Sequence, residues 1–242
     1  GTKIEEAGAE AQDPKVLRPA LFWRRLWVVD ATTGDTRDVT PDGVNVFEFG
    51  WAGGKAAAVC TDEPSESAWY DAWLGLIDLD ERSVERVHTP KWQLQAPRIS
   101  PDGQVAFIEG FSSDRGTLTG TVYVLGLGPI APELHATWIE FADEDTLWVA
   151  GWRGAGSFAG RLSLDGSYEE LAGGDVTLGP RHMPALAVSA DGSRAAATHE
   201  SADEPPEVVL WEDGERRTLT SLNAEVAPRL ANIDWRAYRW SS

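Results

Sequence analysis

The sequence predicts an all-β protein, a β-propeller built from four-stranded antiparallel blades. A strand-turn-strand unit returns four times, with turns at Trp51-Ala52-Gly53-Gly54-Lys55, Ser100-Pro101-Asp102-Gly103-Gln104, Ala142-Asp143-Glu144-Asp145-Thr146 and Ser189-Ala190-Asp191-Gly192-Ser193. The steps between them are 49 residues from Gly54 to Gly103, then about 42 to Asp145 and about 47 to Gly192. Self-similarity at this period is the signature of small sheets arranged radially or in a stack. Short apolar runs such as Val105-Ala106-Phe107-Ile108 and Leu147-Trp148-Val149-Ala150 flank the turns. Twelve Trp against four Tyr suit the broad half-buried faces between twisted sheets.

Each element follows from its local pattern. Residues 1–13 are acidic and alanine-rich and read as a tail, and residues 14–242 read as a partial propeller domain. Arg25–Asp30 is a strand that turns at Thr33-Gly34 into Thr36–Thr40, a half blade over about 24–40. Pro41-Asp42-Gly43 resembles the repeat turn, but it follows an outer strand and precedes an inner one, so it connects blades. The complete blades are expected at about 44–88, 95–136, 137–173 and 184–220. The second has an outer strand near Glu133, and the fourth an inner strand at Ala185–Ser189. Leu222–Leu230 has the composition of a short helix or linker, and 233–240 is a final strand that can pair with the Arg25–Thr40 hairpin. Asp-Gly and Gly-Gly stand at the turns because tight hairpins require positive φ.

Charge excludes several functions. Lys and Arg total 21 against 39 Asp and Glu, a net charge of −18, which repels phosphate backbones and anionic headgroups. Nucleic acid and membrane are therefore not expected as partners. Cys60 is the single cysteine and lies in an apolar run, which leans toward a cytoplasmic protein. The first residue, Gly1, and the strand-like last residues read as cut ends of a longer polypeptide.

Chemistry is expected on the loops between second and third strands, which share a face with the blade-to-blade connections. Those loops, Asp62–Ala72, Phe111–Gly120, Trp152–Ala159 and His199–Pro206, read as long and polar. Ser112-Ser113-Asp114-Arg115-Gly116 offers charge and hydroxyls, although a solvated loop with Asp and Ser bonding their own backbone explains it better. His199 and Glu200 are adjacent on a strand and point to opposite faces, so they do not form an acid–base pair. The four histidines lack zinc spacing, Asp143-Glu144-Asp145 lacks a calcium pattern, and no cofactor or metal is expected. No Gly-x-Ser-x-Gly elbow occurs, so the chain carries no recognisable serine nucleophile and no catalytic residue of its own.

Several segments in order resemble the propeller domain of prolyl oligopeptidase-family serine peptidases, in the acylaminoacyl-peptidase and dipeptidyl-aminopeptidase-like branch. They are Arg25-Leu-Trp-Val-Val-Asp30 with Gly34, Val46-Phe-Glu-Phe-Gly-Trp51, Arg98-Ile-Ser-Pro-Asp-Gly103, and Phe107-Ile-Glu-Gly110 with Ser113-Asp-Arg-Gly116. Val188-Ser-Ala-Asp-Gly192 and the exit Leu219-Thr-Ser-Leu-Asn223 complete the set. The resemblance implies a non-catalytic gate docked on an α/β-hydrolase domain of the same polypeptide, absent from this chain, with peptides as substrates. It makes Glu109, Ser113, Asp114, Arg115, Trp152 and Arg153 candidate rim residues, where an acidic rim would hold a substrate's amino terminus. The first turn departs from the pattern, with Ala52-Gly53-Gly54 in place of Ser-Pro-Asp. A free-standing binding propeller is the alternative. A third reading, a propeller enzyme with a central metal, lacks convergent ligands.

Overall fold

The computed structural model describes residues 22–179, 183–230, 238, 240 and 241. The expected tail over residues 1–13 lies outside them, as does the final strand with its pairing to the Arg25–Thr40 hairpin. The chain opens with a two-stranded hairpin, β1 (Trp27–Val29) and β2 (Thr36–Asp38). The second sheet runs in order β3 (Asn45–Ala52), β4 (Lys55–Thr61), β5 (Trp73–Asp78) and β6 (Ser83–His88). The third contains β7 (Gln93–Ile99), β8 (Val105–Gly110), β9 (Thr121–Val124) and β10 (Gly128–Pro129). The fourth contains β11 (His135–Phe141), β12 (Thr146–Arg153), β13 (Gly156–Ser163) and β14 (Tyr168–Ala172). In the last, β15 (Val176–Leu178) and β16 (Ala187–Val188) both pair with β17 (Arg194–Ser201), followed by β18 (Glu207–Glu212) and β19 (Glu215–Thr218). A short helix, α1 (Ala227–Leu230), follows. Antiparallel meanders of this kind, repeated four times beside a half sheet, are propeller blades.

The repeat turns fold for a local reason. In Ser100-Pro101-Asp102-Gly103 the Ser100 hydroxyl donates to Asp102, Gln104 N–H donates back to it at 2.9 Å, and Gly103 takes φ +96°. Ser189 and Asp191 repeat the arrangement at 2.6 Å, with Gly192 at φ +70°. Burial follows from blade stacking. Residues 56–61 of β4 and all of β8 are buried, so both faces are covered. One apolar cluster fills the space between the second, third and fourth sheets, from Leu74 and Trp69 through Phe107 and Ile108 to Leu147 and Phe158. A smaller one joins the first hairpin to the second sheet, and another joins the fourth sheet to the last.

Three placements differ from the sequence pattern. The outer strand of the third sheet is Gly128–Pro129 rather than near Glu133, because Gly126 and Gly128 at φ +85° and +88° turn the chain back at once. Pro129 is tolerated there because an outermost strand needs no second hydrogen-bonded neighbour. The segment Trp152–Ala159 is not a long loop. β12 and β13 pair through Arg153↔Gly156, closed by Gly154 at φ +65° and Ala155. The inner strand of the last sheet is split, with Val176–Leu178 supplying half and Ala187–Val188 the other half.

Candidate functional site

The innermost strands carry an irregularity at one level. The register slips between Val46 and Glu48 in β3, between Gln95 and Arg98 in β7, and between Ala136 and Trp138 in β11. A bulge bends its strand and redirects the extra side chain. Groups in and beside the bulges link blade to blade. Glu48 accepts Ala96 N–H at 2.9 Å, Gln95 Nε2 donates to the Thr137 carbonyl at 2.7 Å, and Thr137 Oγ1 donates to the Pro184 carbonyl at 2.6 Å. Arg98 and Glu140 add an ion pair at 2.8 Å. Burial drives the Glu48 carboxyl above the ordinary carboxylate range, against the Ala96 N–H, Arg115 and Arg98, which pull it down.

Phe47, the extra residue of the first bulge, anchors a cluster on the long-loop face. The guanidinium of Arg24 lies 4.6 Å from its ring centre and that of Arg115 lies 5.6 Å away. Glu66, in the 3-10 turn Glu66–Asp71, clamps both, at 2.5 Å to Arg24 and 2.7 Å to Arg115. The hydrogen bond from Arg115 is the main reason the Glu66 carboxyl is held below its usual range. The Tyr70 hydroxyl donates to the Ser113 carbonyl, so the Asp62–Ala72 and Phe111–Gly120 loops are tied together at two points. Inside the second loop Ser113 Oγ donates to Asp114 Oδ2 at 2.9 Å, and the Asp114 carbonyl accepts from Ser112 and Thr117. Beside it Trp92 and Phe111 meet edge-on at 5.5 Å and are 43% and 72% exposed, an aromatic shelf.

The six rim candidates therefore fall into three places. Ser113, Asp114 and Arg115 lie on the loop just described. Glu109 lies beneath it, buried, with its carboxylate 2.9 Å from His88 Nε2 and accepting the N–H groups of Lys91 and Trp92. That carboxylate is occupied by the fold. Trp152 and Arg153 belong to the hairpin of the fourth sheet, where Arg153 pairs with Glu170 and its guanidinium sits 5.1 Å from the Phe158 ring centre. Arg24, Phe47, Glu66 and Tyr70 have no sequence motif that marks them, since their meeting depends on the bulge and on the 3-10 turn.

A groove of about 490 Å³ opens between the fourth and last sheets, lined by Asp175, His199, Asp203, Glu204 and Arg216. His199 is buried, with Nδ1 3.1 Å from Arg216 and 3.3 Å from Glu204. Burial first, then Arg216, lowers its pKa and favours the neutral ring, against the pull of Glu204. Among the described residues, no histidine is hydrogen-bonded to a Ser, Thr or Cys side chain, and no group of three His, Cys, Asp or Glu side chains converges as a metal site. The arrangement can contact and orient a ligand by aromatic faces and charge. The segment that follows β19 lies on the same face. Glu207, at the start of β18, accepts Thr220 Oγ1 and the N–H groups of Leu222 and Asn223, and Asn223 Nδ2 donates to the Pro206 carbonyl at 2.6 Å.

Repeated four-stranded blades with a loop-built rim define a β-propeller. Its fold is that of the propeller domains of prolyl oligopeptidase-family peptidases. The structure of Pyrococcus horikoshii acylaminoacyl peptidase matches 98% of this chain and 38% of its own at TM-score 0.65 and 13% identity. The β-propeller domain of the trilobed protease from Pyrococcus furiosus, described as having an open velcro topology, matches 81% of this chain and 61% of its own at TM-score 0.55 and 13% identity. TolB from Acinetobacter baumannii matches 81% of this chain and 48% of its own at TM-score 0.55 and 19% identity. The chain thus spans less than two thirds of each of these structures. No protein-family model and no curated protein matches the sequence.

Proposed function

We propose that this chain is the non-catalytic propeller of a serine peptidase, docked on an α/β-hydrolase domain of the same polypeptide and gating the entry of peptides. The observation that carries this reading is the match of 98% of the chain to part of an acylaminoacyl peptidase. Two features of the molecule support it. The Glu207 turn leads the chain out on the same face as the Phe47–Arg115 cluster and the aromatic shelf, so a domain that followed would meet the long loops. Leu222 is 82% exposed there, beside Leu219 and Val226, which gives a following domain apolar surface to cover. Ser113, Asp114, Arg115, Trp152 and Arg153 then face the substrate path, and the groove bearing Asp175, Asp203 and Glu204 favours a cationic amino terminus. A cytoplasmic setting agrees with a single buried cysteine.

The test uses the native protein in its source cells, with an antibody to this domain and a fluorophosphonate serine probe. A probe-labelled band much heavier than 26.3 kDa is expected. A single unlabelled band near 26.3 kDa overturns the reading. That outcome would favour a free-standing binding propeller.

A further inference from the structure

Glu66 is shared by two guanidiniums, with Oε2 2.5 Å from Arg24 and Oε1 2.7 Å from Arg115. No other carboxylate among the described residues takes hydrogen bonds from two guanidiniums; Arg98, for instance, has Glu140 to itself. In a chain of net charge −18, two cations are here matched by one anion. Both arginines also have donors to spare. Arg24 bonds through Nη2 and Arg115 through Nε, so neither makes the two-pronged contact that a guanidinium offers a carboxylate. Their remaining side-chain N–H groups have no hydrogen-bond partner among the described residues. The other carboxyls adjoining Arg115 are engaged elsewhere, Asp114 by the Ser113 hydroxyl and Glu48 by the Ala96 N–H.

Both guanidiniums are placed without help from Glu66. Each lies against the Phe47 ring. The Arg24 N–H donates to the Oδ1 of buried Asn45 at 2.8 Å, and its carbonyl accepts the Val46 N–H at 3.0 Å, next to Phe47. The Arg115 loop is closed by the Ser112 and Thr117 hydroxyls on the Asp114 carbonyl, and tied to its neighbour by Tyr70. Glu66, by contrast, begins a short 3-10 turn, and its side chain is 57% exposed. Swinging that side chain into solvent breaks no main-chain bond. Exposed ion pairs contribute little, so an incoming carboxylate competes with Glu66 on near-equal terms.

We propose that Arg24 and Arg115, laid on Phe47, form a binding site for the side-chain carboxylate of an acidic peptide, which Glu66 occupies in the free chain. Glu66 shows the fit, since it reaches the two arginines from a main chain that runs along the rim. A peptide suits the surroundings as well. Phe111 opens the loop that carries Arg115, and with Trp92 it offers an exposed aromatic face to an apolar residue beside the acidic one. The net negative charge does not forbid such a ligand. At about 0.15 M salt the screening length is about 8 Å, so the two guanidiniums outweigh distant carboxylates. The site does not require that a hydrolase domain follow.

The probe is acetyl-Ala-Glu-Phe-amide, added to the whole chain at about 0.15 M salt. Acetyl-Ala-Gln-Phe-amide and acetyl-Ala-Ala-Phe with a free carboxyl end are compared with it. NMR titration of the Arg24 and Arg115 Nε–H signals gives the affinities. The Glu peptide is expected to shift both signals and to bind at least about tenfold more tightly than the Gln peptide, the worth of one charge-assisted bond. Glu66→Gln, which removes the resident charge at an exposed site, is expected to tighten binding at least about tenfold. Arg115→Gln is expected to weaken it by as much, with unchanged amide-exchange protection of β8 showing an intact fold. Equal binding of the Gln peptide, or no gain in Glu66→Gln, overturns the proposal and leaves the arginines as ties between loops. Tighter binding of the free-ended peptide overturns it in favour of a chain end. No binding to the Glu66→Gln chain overturns it outright.

Discussion

The side-chain amide of Gln95 donates to the main-chain carbonyl of Thr137 at 2.7 Å, across the boundary between two blades. Both residues are buried, and the same amide reaches the Leu118 carbonyl at 3.4 Å. With Glu48–Ala96 and Thr137–Pro184 it forms a chain of polar contacts where innermost strands bulge. The blades are therefore joined near the axis by directional bonds as well as by the apolar cluster. Truncating a buried partner leaves the Thr137 carbonyl without its donor, which costs roughly 1–3 kcal/mol. Gln95→Ala is expected to lower the urea midpoint with little change in slope, and Gln95→Glu to lower it further, since a buried carboxylate would face the Thr137 and Leu118 carbonyls. An unchanged midpoint in both variants would count against the bond.

Glu48 gives a pH signature of the same region. Its folded carboxyl titrates above the ordinary value because burial outweighs the Ala96 N–H and the two arginines. Between the unfolded and folded pKa values the native chain holds a proton that the unfolded chain has released, so stability falls as pH rises through that window. Above both values the cost is constant. Glu48→Gln keeps an oxygen for the Ala96 N–H and removes the ionisation. The variant should match the parent in acid and exceed it in stability at neutral pH, with the gap opening through the window. Parallel urea curves from pH 4 to 8 measure it, and a gap independent of pH would refute the assignment.

The fold was legible in the sequence because turns are local. Ser100-Pro101-Asp102-Gly103 and Ser189-Ala190-Asp191-Gly192 close on themselves, so their spacing could be read without tertiary knowledge. The bulges were not legible. Phe47 and Thr137 look like ordinary strand residues, and their slip in register comes from packing between inner strands. The Trp152–Ala159 segment was misleading for another reason. Glycine at 151, 154, 156 and 160 suggests a loop, yet Gly151 and Gly156 are required by close main-chain approach, of β11 to the first and of the connection after β14 to the second. A Cβ there would fall 2.1 Å from the His135 carbonyl and 1.7 Å from that of Gly174. The Arg24–Glu66–Arg115 clamp joins residues 42 and 49 positions apart, a pairing no local pattern encodes.

Cys60 is fully buried, and desolvation raises its thiol to about 12. At pH 8 the thiolate is then about one part in 10⁴, and the sulfur is closed to reagents. Ellman's reagent is expected to leave the native chain unmodified over hours and to react with one equivalent in denaturant. Rapid native labelling would show that the second sheet opens.

Two glycines in matching turns separate backbone strain from packing. Gly103 has φ +96° and no atom within 4 Å of where a Cβ would stand. Gly103→Ala should therefore cost only the left-handed conformation, about 1–2 kcal/mol. Gly192, at φ +70°, would put a Cβ 1.9 Å from the Ala142 carbonyl oxygen. Its own carbonyl also accepts Trp148 Nε1 at 2.8 Å, which ties the fourth sheet to the last. Gly192→Ala must shift that turn, break the indole bond and open the packing around Trp148 and Trp211, for a loss on the order of 3 kcal/mol or more. Chemical denaturation of both variants decides the matter: equal losses would mean that the last blade is free to move away from its neighbour at this point, and a larger loss at Gly192 that it is locked.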